Sequence, residues 1–467
     1  MESASQEVIR FLVSVILARL LEPKTYGIVA LVMLVIGLLR VFTDSGLGVA
    51  LIQKKEADNL DFSSVFYFNL LACFILYLAV LFCAPFVTAF YRMPGLTSVL
   101  RVLGIQLVIY GITNVQQAYV SKKFMFKYFF YATFAGNIAS AFVGIGMAYA
   151  GYEVWALVGQ TLSASFINVL VLWFTVKWRP DLAFSWKRLK ILCSFGWKML
   201  GSTLTDTIYR DIRSLLIGRL YTPGDLAFYQ RGMQFPSLLT QNINTSIDSV
   251  LLPAMSEAQD DRQRIKSMTR RSIMTSSYII MPMMAGLAAC SESIVRLLLT
   301  EKWMPCVVFL RIFCFTFAFY PVHTANLNAI KALGRSDLFL QLEIWKKIVG
   351  LILLFSTIWV SVEAMAYSLL LSTFLNQVIN SWPNRKLLGY TYLEQVEDML
   401  PQFLSSCLMG GIVFSISLLR FGDIVTLCIQ IPLGVIIYLL ISRIFKIESY
   451  LYIENTIRDM LKKRKNA

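Results

Sequence analysis

The 467-residue sequence contains one histidine, His323. A histidine-based catalytic triad is therefore not expected, and a histidine-rich metal site is excluded. The eight cysteines (Cys73, Cys83, Cys193, Cys290, Cys306, Cys314, Cys407 and Cys428) include no C-x-x-C pair, and most lie in apolar runs. They read as small core hydrophobes, not disulfides or metal ligands. No G-x-x-x-x-G-K-[ST] segment occurs, so there is no P-loop for ATP. Neither a cofactor nor a metal is expected, and no enzyme activity. A cleavable signal peptide is not expected either, because Met1–Gln6 carries no basic residue and no A-x-A site follows the first apolar run. Charge is also scarce: Asp, Glu, Lys and Arg make up 15% of the chain, against about a quarter in an ordinary soluble domain.

What the sequence has instead is apolar length. Hydrophobic residues reach 57% and aromatics 13%, and the mean hydropathy is +0.64. That combination describes an all-α polytopic membrane protein. The net charge of +15 does not point to nucleic acid, because membrane proteins collect Lys and Arg in cytoplasmic loops.

With about 20 residues needed to cross the hydrocarbon, the apolar runs predict fourteen helical spans. Their limits are 6–22, 26–51, 63–90, 96–120, 127–150, 154–176, 191–220, 225–253, 272–299, 304–331, 337–360, 363–383, 399–419 and 423–444. Connections after even-numbered spans, with the tail and the span-edge residues Lys127, Lys331 and Arg443, hold 26 Lys and Arg, and those after odd-numbered spans hold 4. This asymmetry predicts that both termini are cytoplasmic.

An internal repeat is visible. VILARLLEPKTYGIVAL (Val15–Leu31) matches LLIGRLYTPGDLAFYQR (Leu215–Arg231) at an offset of 200, aligning Arg19 with Arg219 and Pro23 with Pro223. Arg10 aligns with Arg210 at the same offset, and LRVLGIQLVIY (Leu100–Tyr110) resembles LRIFCFTFAFY (Leu310–Tyr320) at an offset of 210. The expected organisation is a six-helix lobe over 1–176, a cytoplasmic linker over 177–190, a second six-helix lobe over 191–383, two extra helices over 384–445 and a basic tail over 446–467. Parallel repeats of this kind bind substrate between their halves. The second half has a lead, RLKILCSFGWKML (Arg188–Leu200), with no counterpart before Met1. Symmetry therefore predicts a natural start roughly a dozen residues earlier.

Ionisable groups at membrane depth cost several kcal/mol unless they face protein or water. They concentrate in spans 1, 2, 7 and 8, the first pair of each half. TDTIYRDIRSLLIGRL (Thr205–Leu220) carries Asp206, Arg210, Asp211, Arg213 and Arg219, and span 8 adds Arg231, Gln234, Gln241, Asn242, Asn244 and Asp248. Spans 1 and 2 add Gln6, Glu7, Arg10, Arg19, Arg40 and Asp44. Asp206 and Arg210 stand four apart on one helix face and can pair. Two symmetry-related guanidiniums on one cavity suit a polyanion, since Arg engages phosphate bidentately and stays charged. The candidate substrate contacts are accordingly Arg10, Arg210, Arg213 and Asn242. The candidate ion-coupling or gating groups are Asp44, Asp206, Asp211 and Asp248. A second reading makes Arg10 and Arg210 structural, paired with Glu7, Asp206 or Asp211. Arg19 and Arg219 read as snorkelling or gate contacts at the outer ends of their spans. Asn69, Gln106, Asn114, Gln116, Gln117, Asn326 and Asn328 read as interhelical hydrogen bonds. Glu343, Lys346 and Lys347 pair locally or snorkel, and Ile447–Lys465 has the amphipathic spacing of a surface helix.

LARLLEPKTYGIVAL, FTDSGLGVALIQKK, SSVFYFNL, GRLYTPGDLAFYQR, LLPAMSEAQDD and LNAIKALGRSDLFLQLEIWKK resemble the Wzx-type polysaccharide flippases of the multidrug/oligosaccharidyl-lipid/polysaccharide exporter superfamily, nearest the colanic acid exporters. The resemblance runs from about Ser5 to the tail. It implies two six-helix lobes in a V plus two helices. It also implies alternating-access flipping of undecaprenyl-pyrophosphate-linked oligosaccharide across the bacterial inner membrane for surface polysaccharide assembly. The implied partners are that lipid-linked substrate, membrane lipids, and polysaccharide polymerase and chain-length machinery. In the family, basic cavity residues are thought to meet the pyrophosphate and sugar acids. A multidrug/cation antiporter of the same superfamily is the alternative, which the Arg-rich polarity of spans 1 and 7 and the two extra spans disfavour. The short odd-side loops disfavour a polymerase or ligase.

Overall fold

The computed structural model describes the backbone of residues 2–44, 46–419 and 421–465; the side chains of 2–6, 8, 44, 194, 195, 198, 457 and 460–465 lie outside the description. Among the described residues no strand forms. The chain divides into two compact units, Met1–Ala227 and Phe228–Ala467.

The first unit contains α1 (Glu2–Leu20), α2 (Pro23–Asp44), α3 (Leu47–Gln53), α4 (Asn59–Tyr91), α5 (Leu96–Leu103), α6 (Ile105–Lys122), α7 (Lys127–Tyr149), α8 (Val154–Thr175) and α9 (Trp186–Leu220). The second follows from α10 (Pro223–Glu257), which starts in the first unit, with α11 (Arg262–Ala289), α12 (Ser291–Leu299), α13 (Cys306–Ala318), α14 (Tyr320–Ala332), α15 (Ser336–Thr357), α16 (Val362–Leu388), α17 (Tyr392–Ser417), α18 (Asp423–Ile444) and α19 (Glu448–Lys465). Each of the fourteen expected spans is a helical rod, and four of them are broken in two: α2/α3, α5/α6, α11/α12 and α13/α14. The first break falls where Gly46 adopts φ 108°, a left-handed conformation that favours glycine. Pro321 sits in the first turn of α14, where its missing N–H has no helical partner to lose.

Ten of these rods are long and apolar enough to cross a membrane. The other four, α1, α9, α10 and α15, carry charged and polar residues within the span. Their polar faces have to meet protein or water. On the outward faces of the rods, large apolar side chains such as Phe82, Phe86, Phe142 and Phe174, and Trp345 and Phe355 of α15, stand exposed, as lipid contact requires. Cys73, Cys290, Cys306 and Cys314 are buried as expected, whereas Cys83, Cys407 and Cys428 are exposed, so those three are not core residues.

One end of the first unit is closed by an aromatic core in which Phe62, Phe66 and Tyr119 surround Trp178, with Tyr119 stacked on Trp178 at 5.7 Å. Leu47 and Leu51 of α3 and Leu189 and Leu192 of α9 complete it. Above it α4 begins with a capping box: Asp61 N–H donates to Asp58 Oδ1 at 3.0 Å and Asp58 N–H to Asp61 Oδ2 at 3.2 Å.

In the second unit α11 packs along α17, and α17 on α18. Tyr438 Oη donates to the Tyr278 carbonyl at 3.0 Å, and Tyr278 Oη to Ser442 Oγ at 3.1 Å. Asn326, Gln395 and Asn384 form a fully buried carboxamide cluster joining α14, α17 and α16, with bonds of 2.8, 3.1 and 2.6 Å. Such bonds hold helices together where no hydrophobic difference from lipid drives association. Glu343 and Lys346 pair locally at 2.5 Å.

Helix α10 meets α13 through Gly232. A Cβ there would stand 2.6 Å from Phe309 Cβ and 2.8 Å from the Leu310 amide nitrogen. Because the obstacle is backbone, no rotamer relieves it. Gly232→Ala is therefore expected to destabilise the second unit by about 1–3 kcal/mol, read as a lower unfolding temperature in detergent, while Gly286→Ala, which meets nothing within 4 Å, leaves it unchanged.

Candidate functional site

Polar residues recur at helical spacing on three helices of the first unit. On α6, Gln106, Tyr110, Thr113 and Gln117 fall at i, i+4, i+7 and i+11, one face of the helix. On α7, Thr133 and Asn137 are four apart, and on α8 Ser165 and Asn168 are three apart. The fold turns these three faces toward α1 and α2, and together they enclose a cavity of about 390 Å³ that Arg10 and Arg40 also line.

Arg10 is exposed and pairs with Glu7 at 3.3 Å. Arg40 lies over the Tyr110 ring, with its Cζ 3.7 Å from the centroid. A guanidinium over a ring in this way is held in place by its face. Gln106 Nε2 donates to Ser165 Oγ at 3.0 Å, which fixes the α6 and α8 walls against each other. Asn137 is 9% exposed, and its Nδ2 has no hydrogen-bond partner. Among the described residues no carboxylate lines the cavity. Its chemistry is therefore two cations, four carboxamides, three hydroxyls and a tyrosine, suited to a ligand that is anionic and rich in hydroxyl groups.

The other sequence-derived candidates lie elsewhere. Arg210 is exposed on α9 and does not line this cavity; its Nε donates to Asp211 Oδ1 at 3.1 Å. The bonded carboxylate is thus that of the adjacent residue. Asp206 lies exposed one turn below. Arg213 is buried at 5% exposure. Asn242 is exposed on α10 and donates to the Leu238 carbonyl at 3.0 Å, and Asp248 accepts from Asn328 Nδ2 at 2.8 Å. The Asp44 side chain lies outside the described residues. Sequence reasoning placed Arg40 among the polar residues of span 2 without singling it out, and it missed Asn137 and Asn168. Gln106 and Gln117, expected to be interhelical bonds, also line the cavity. The usable signal is the coincidence of three polar faces in spans 4, 5 and 6.

A second cavity, of about 560 Å³, lies within the second unit among α10, α11, α17 and α18. It is lined by apolar groups, including Met283, Leu287 and Val413. Ile431, Val435 and Leu439 line it at i, i+4 and i+8 along α18 and are all exposed, so it opens on the lipid-facing side of that helix.

Comparison with known proteins places this architecture. The chain is 22% identical to the teichuronic acid biosynthesis protein TuaB of Bacillus subtilis (strain 168) over 383 residues, covering 81% of this chain and 79% of that protein. It is 21% identical to the lipopolysaccharide biosynthesis protein WzxC of Escherichia coli (strain K12), covering 71% of this chain and 68% of that one. Among solved structures it superposes on the lipid II flippase MurJ in an inward closed conformation with a TM-score of 0.78 and 14% identity, over 95% of this chain and 97% of that one. Residues 16–308 match the family described as polysaccharide biosynthesis protein. By that match the chain belongs to the polysaccharide biosynthesis protein family, as a multi-pass membrane protein with a transporter fold.

Proposed function

We propose that the protein flips an undecaprenyl-pyrophosphate-linked oligosaccharide across the bacterial inner membrane by alternating access, for surface polysaccharide assembly, with both termini cytoplasmic. The observation that carries this reading is the cavity lined by Arg10 and Arg40, with no carboxylate in its wall among the described residues. Its guanidiniums suit the anionic part of the head, and its carboxamides and hydroxyls suit sugar hydroxyls, which both donate and accept. The apolar second cavity, open on the lipid side, suits the polyprenyl chain. Arg210, Arg213 and Asn242 are proposed as further head-group contacts. Asp44, Asp206, Asp211 and Asp248 are proposed as the carboxylates that couple a cation gradient or gate the path. The 26-to-4 loop asymmetry supports the orientation, and a polysaccharide polymerase and chain-length machinery are the proposed downstream partners.

A cation antiporter would need acidic groups where substrate binds, and the Arg10–Arg40 cavity offers the opposite polarity. In cells, removing the protein is expected to leave lipid-linked repeat units on the inner leaflet and to stop export of the polymer. Unchanged surface polysaccharide in the deletion strain, with no such accumulation, would contradict the proposal.

A further inference from the structure

Helix α19 packs on α11 at one end of the second unit. Ile447 is buried there, and Tyr450 and Ile453 follow it at three-residue spacing, partly buried against the core of Tyr278, Met409 and Tyr438. Arg270 of α11 pins the helix. It bonds Asp398 of α17 at 2.9 Å and the two oxygens of Glu448 of α19 at 3.0 and 2.9 Å. Gln402 Nε2 donates to Ser449 Oγ at 2.9 Å.

Between α11 and α19 this docking leaves a cavity of about 130 Å³, lined among others by Ser267, Arg270, Arg271, Thr275, Glu448 and Tyr452. Its two cations differ. Arg270 is matched by Asp398 and Glu448. Arg271 is exposed and lies over the Tyr452 ring, with its Cζ 4.7 Å from the centroid, and it forms no ion pair among the described residues. A ring face holds a guanidinium without neutralising it. Ser449 also lines the cavity, and as the acceptor from Gln402 it keeps its own proton to donate. Arg270, Arg271, Asp398 and Glu448 balance in charge, so the recess offers one guanidinium and several hydroxyls, not a strong cationic field. That set suits a phosphodiester of single charge better than a pyrophosphate, whose charge one guanidinium does not match.

Depth points to the source of that phosphodiester. Arg271 immediately precedes the span read from the sequence at 272–299. Phe445, which caps α18 just before α19, is 71% exposed, and Leu451 and Tyr452 of α19 are exposed as well. Exposed apolar groups beside charged ones mark the boundary between hydrocarbon and head groups, where tyrosines and amphipathic helices lie. Basic pockets between helices at that level receive lipid head groups.

We propose that the α11–α19 cavity is a binding site for the head of an anionic phospholipid of the cytoplasmic leaflet. Arg271 takes the phosphodiester, the hydroxyls of Ser267, Thr275 and Ser449 take the polar end of the head, and the bound lipid helps to seat α19 on α11. The site stands apart from the flippase reading and shares with it only the orientation.

Thermal unfolding of the full chain, purified in lipid-free detergent, tests it. Added phosphatidylglycerol is expected to raise the unfolding temperature by about 3–5 °C, while phosphatidylcholine and inorganic phosphate leave it within about 1 °C. Each variant is compared with its own lipid-free value, so a loss of stability from the substitution itself drops out. Arg271→Ala is expected to lose at least half of the phosphatidylglycerol shift. Ser267→Trp, which fills the cavity from an exposed position and leaves every charge in place, is expected to lose it too. Arg262→Ala, which removes an exposed cation of the same helix outside the cavity wall, should keep the shift. A full shift in either Arg271→Ala or Ser267→Trp, an equal shift from phosphatidylcholine, or an equal loss in Arg262→Ala overturns the site. A shift reproduced by inorganic phosphate overturns the lipid as its occupant.

Discussion

Alanine at both Arg10 and Arg40 is expected to lower export of the lipid-linked substrate at least about a hundredfold, with the protein still present in the membrane at its usual level. The two guanidiniums line one cavity, and the Glu7 carboxylate that Arg10 meets at 3.3 Å is half exposed, so a bound anion can displace it. Each charge-assisted bond to an anionic head contributes about 1.5–3 kcal/mol. Losing two contacts that tighten as the head is enclosed removes about 3–6 kcal/mol, or some two to four decades in rate. The single variants should each show an intermediate loss. Arg40 stacks on Tyr110 at 3.7 Å, so Arg40→Lys, which keeps the charge and loses the planar fork, should retain only part of the activity. Tyr110→Phe, which keeps the ring face, should stay near the parent. Export by cells carrying each variant, normalised to protein amount, checks all five. A double variant with parental export would remove the cavity from the mechanism.

Asp61→Ala is expected to give the largest loss of stability in the first unit, about 2–4 kcal/mol. Its carboxylate is fully buried and accepts from Lys54 Nζ at 2.5 Å and from the Asp58 amide at 3.2 Å, with Arg188 3.6 Å away. Alanine removes one half of the α4 capping box and leaves two cations without their shared partner. Lys54 and Arg188 are each about a third exposed, so water takes up part of that charge and keeps the loss below the upper limit for a buried pair. Asp61→Asn keeps the capping oxygen and should cost about half as much. Thermal unfolding in detergent measures both, and equal unfolding temperatures for Asp61→Ala and the parent would contradict the assignment. The pH dependence has a definite sign. The Arg188 guanidinium bonded to Asp58 holds that carboxyl down at about 2, below its ordinary 3.8. A carboxylate depressed in the folded state contributes stability above its unfolded value and loses it as pH falls through the folded one. The clasp should therefore weaken between about pH 4 and pH 2, and Arg188→Met should abolish that part of the acid sensitivity.

Much of this architecture was legible in the sequence because its signals are long. Apolar runs of membrane length and the repeated R-L-x-x-P signature locate every rod, and α2 and α10 both begin at the repeated proline. The breaks within rods were not legible. Gly46 has to be left-handed to start α3, and Gly104 stands in ordinary helical geometry between α5 and α6, yet both are simply glycines in apolar context. The site was half legible. A charge at membrane depth announces itself, so Arg10 stood out, and the symmetry argument then looked for its mate at Arg210. Arg210 instead bonds Asp211 and lies away from the cavity. The guanidinium that shares the cavity with Arg10 is Arg40, brought there by the packing of α2 beside α8 and α6. Repeat symmetry relates positions between halves and carries no information about which neighbours meet within one. Asn137 and Asn168 were missed for a related reason: a lone carboxamide in an apolar helix has the same sequence signature whether it joins helices or faces a cavity.

The central claim is that an anionic, sugar-bearing lipid head enters the Arg10–Arg40 cavity and crosses the membrane with this protein. The most direct test uses proteoliposomes holding purified protein and a fluorescent undecaprenyl-pyrophosphate-linked oligosaccharide, with the fraction of label reachable by an impermeant quencher followed over time. The parent protein should move the label between leaflets, and Arg10→Ala/Arg40→Ala should reduce the rate to that of protein-free vesicles. Equal rates for the parent and the double variant would contradict the account.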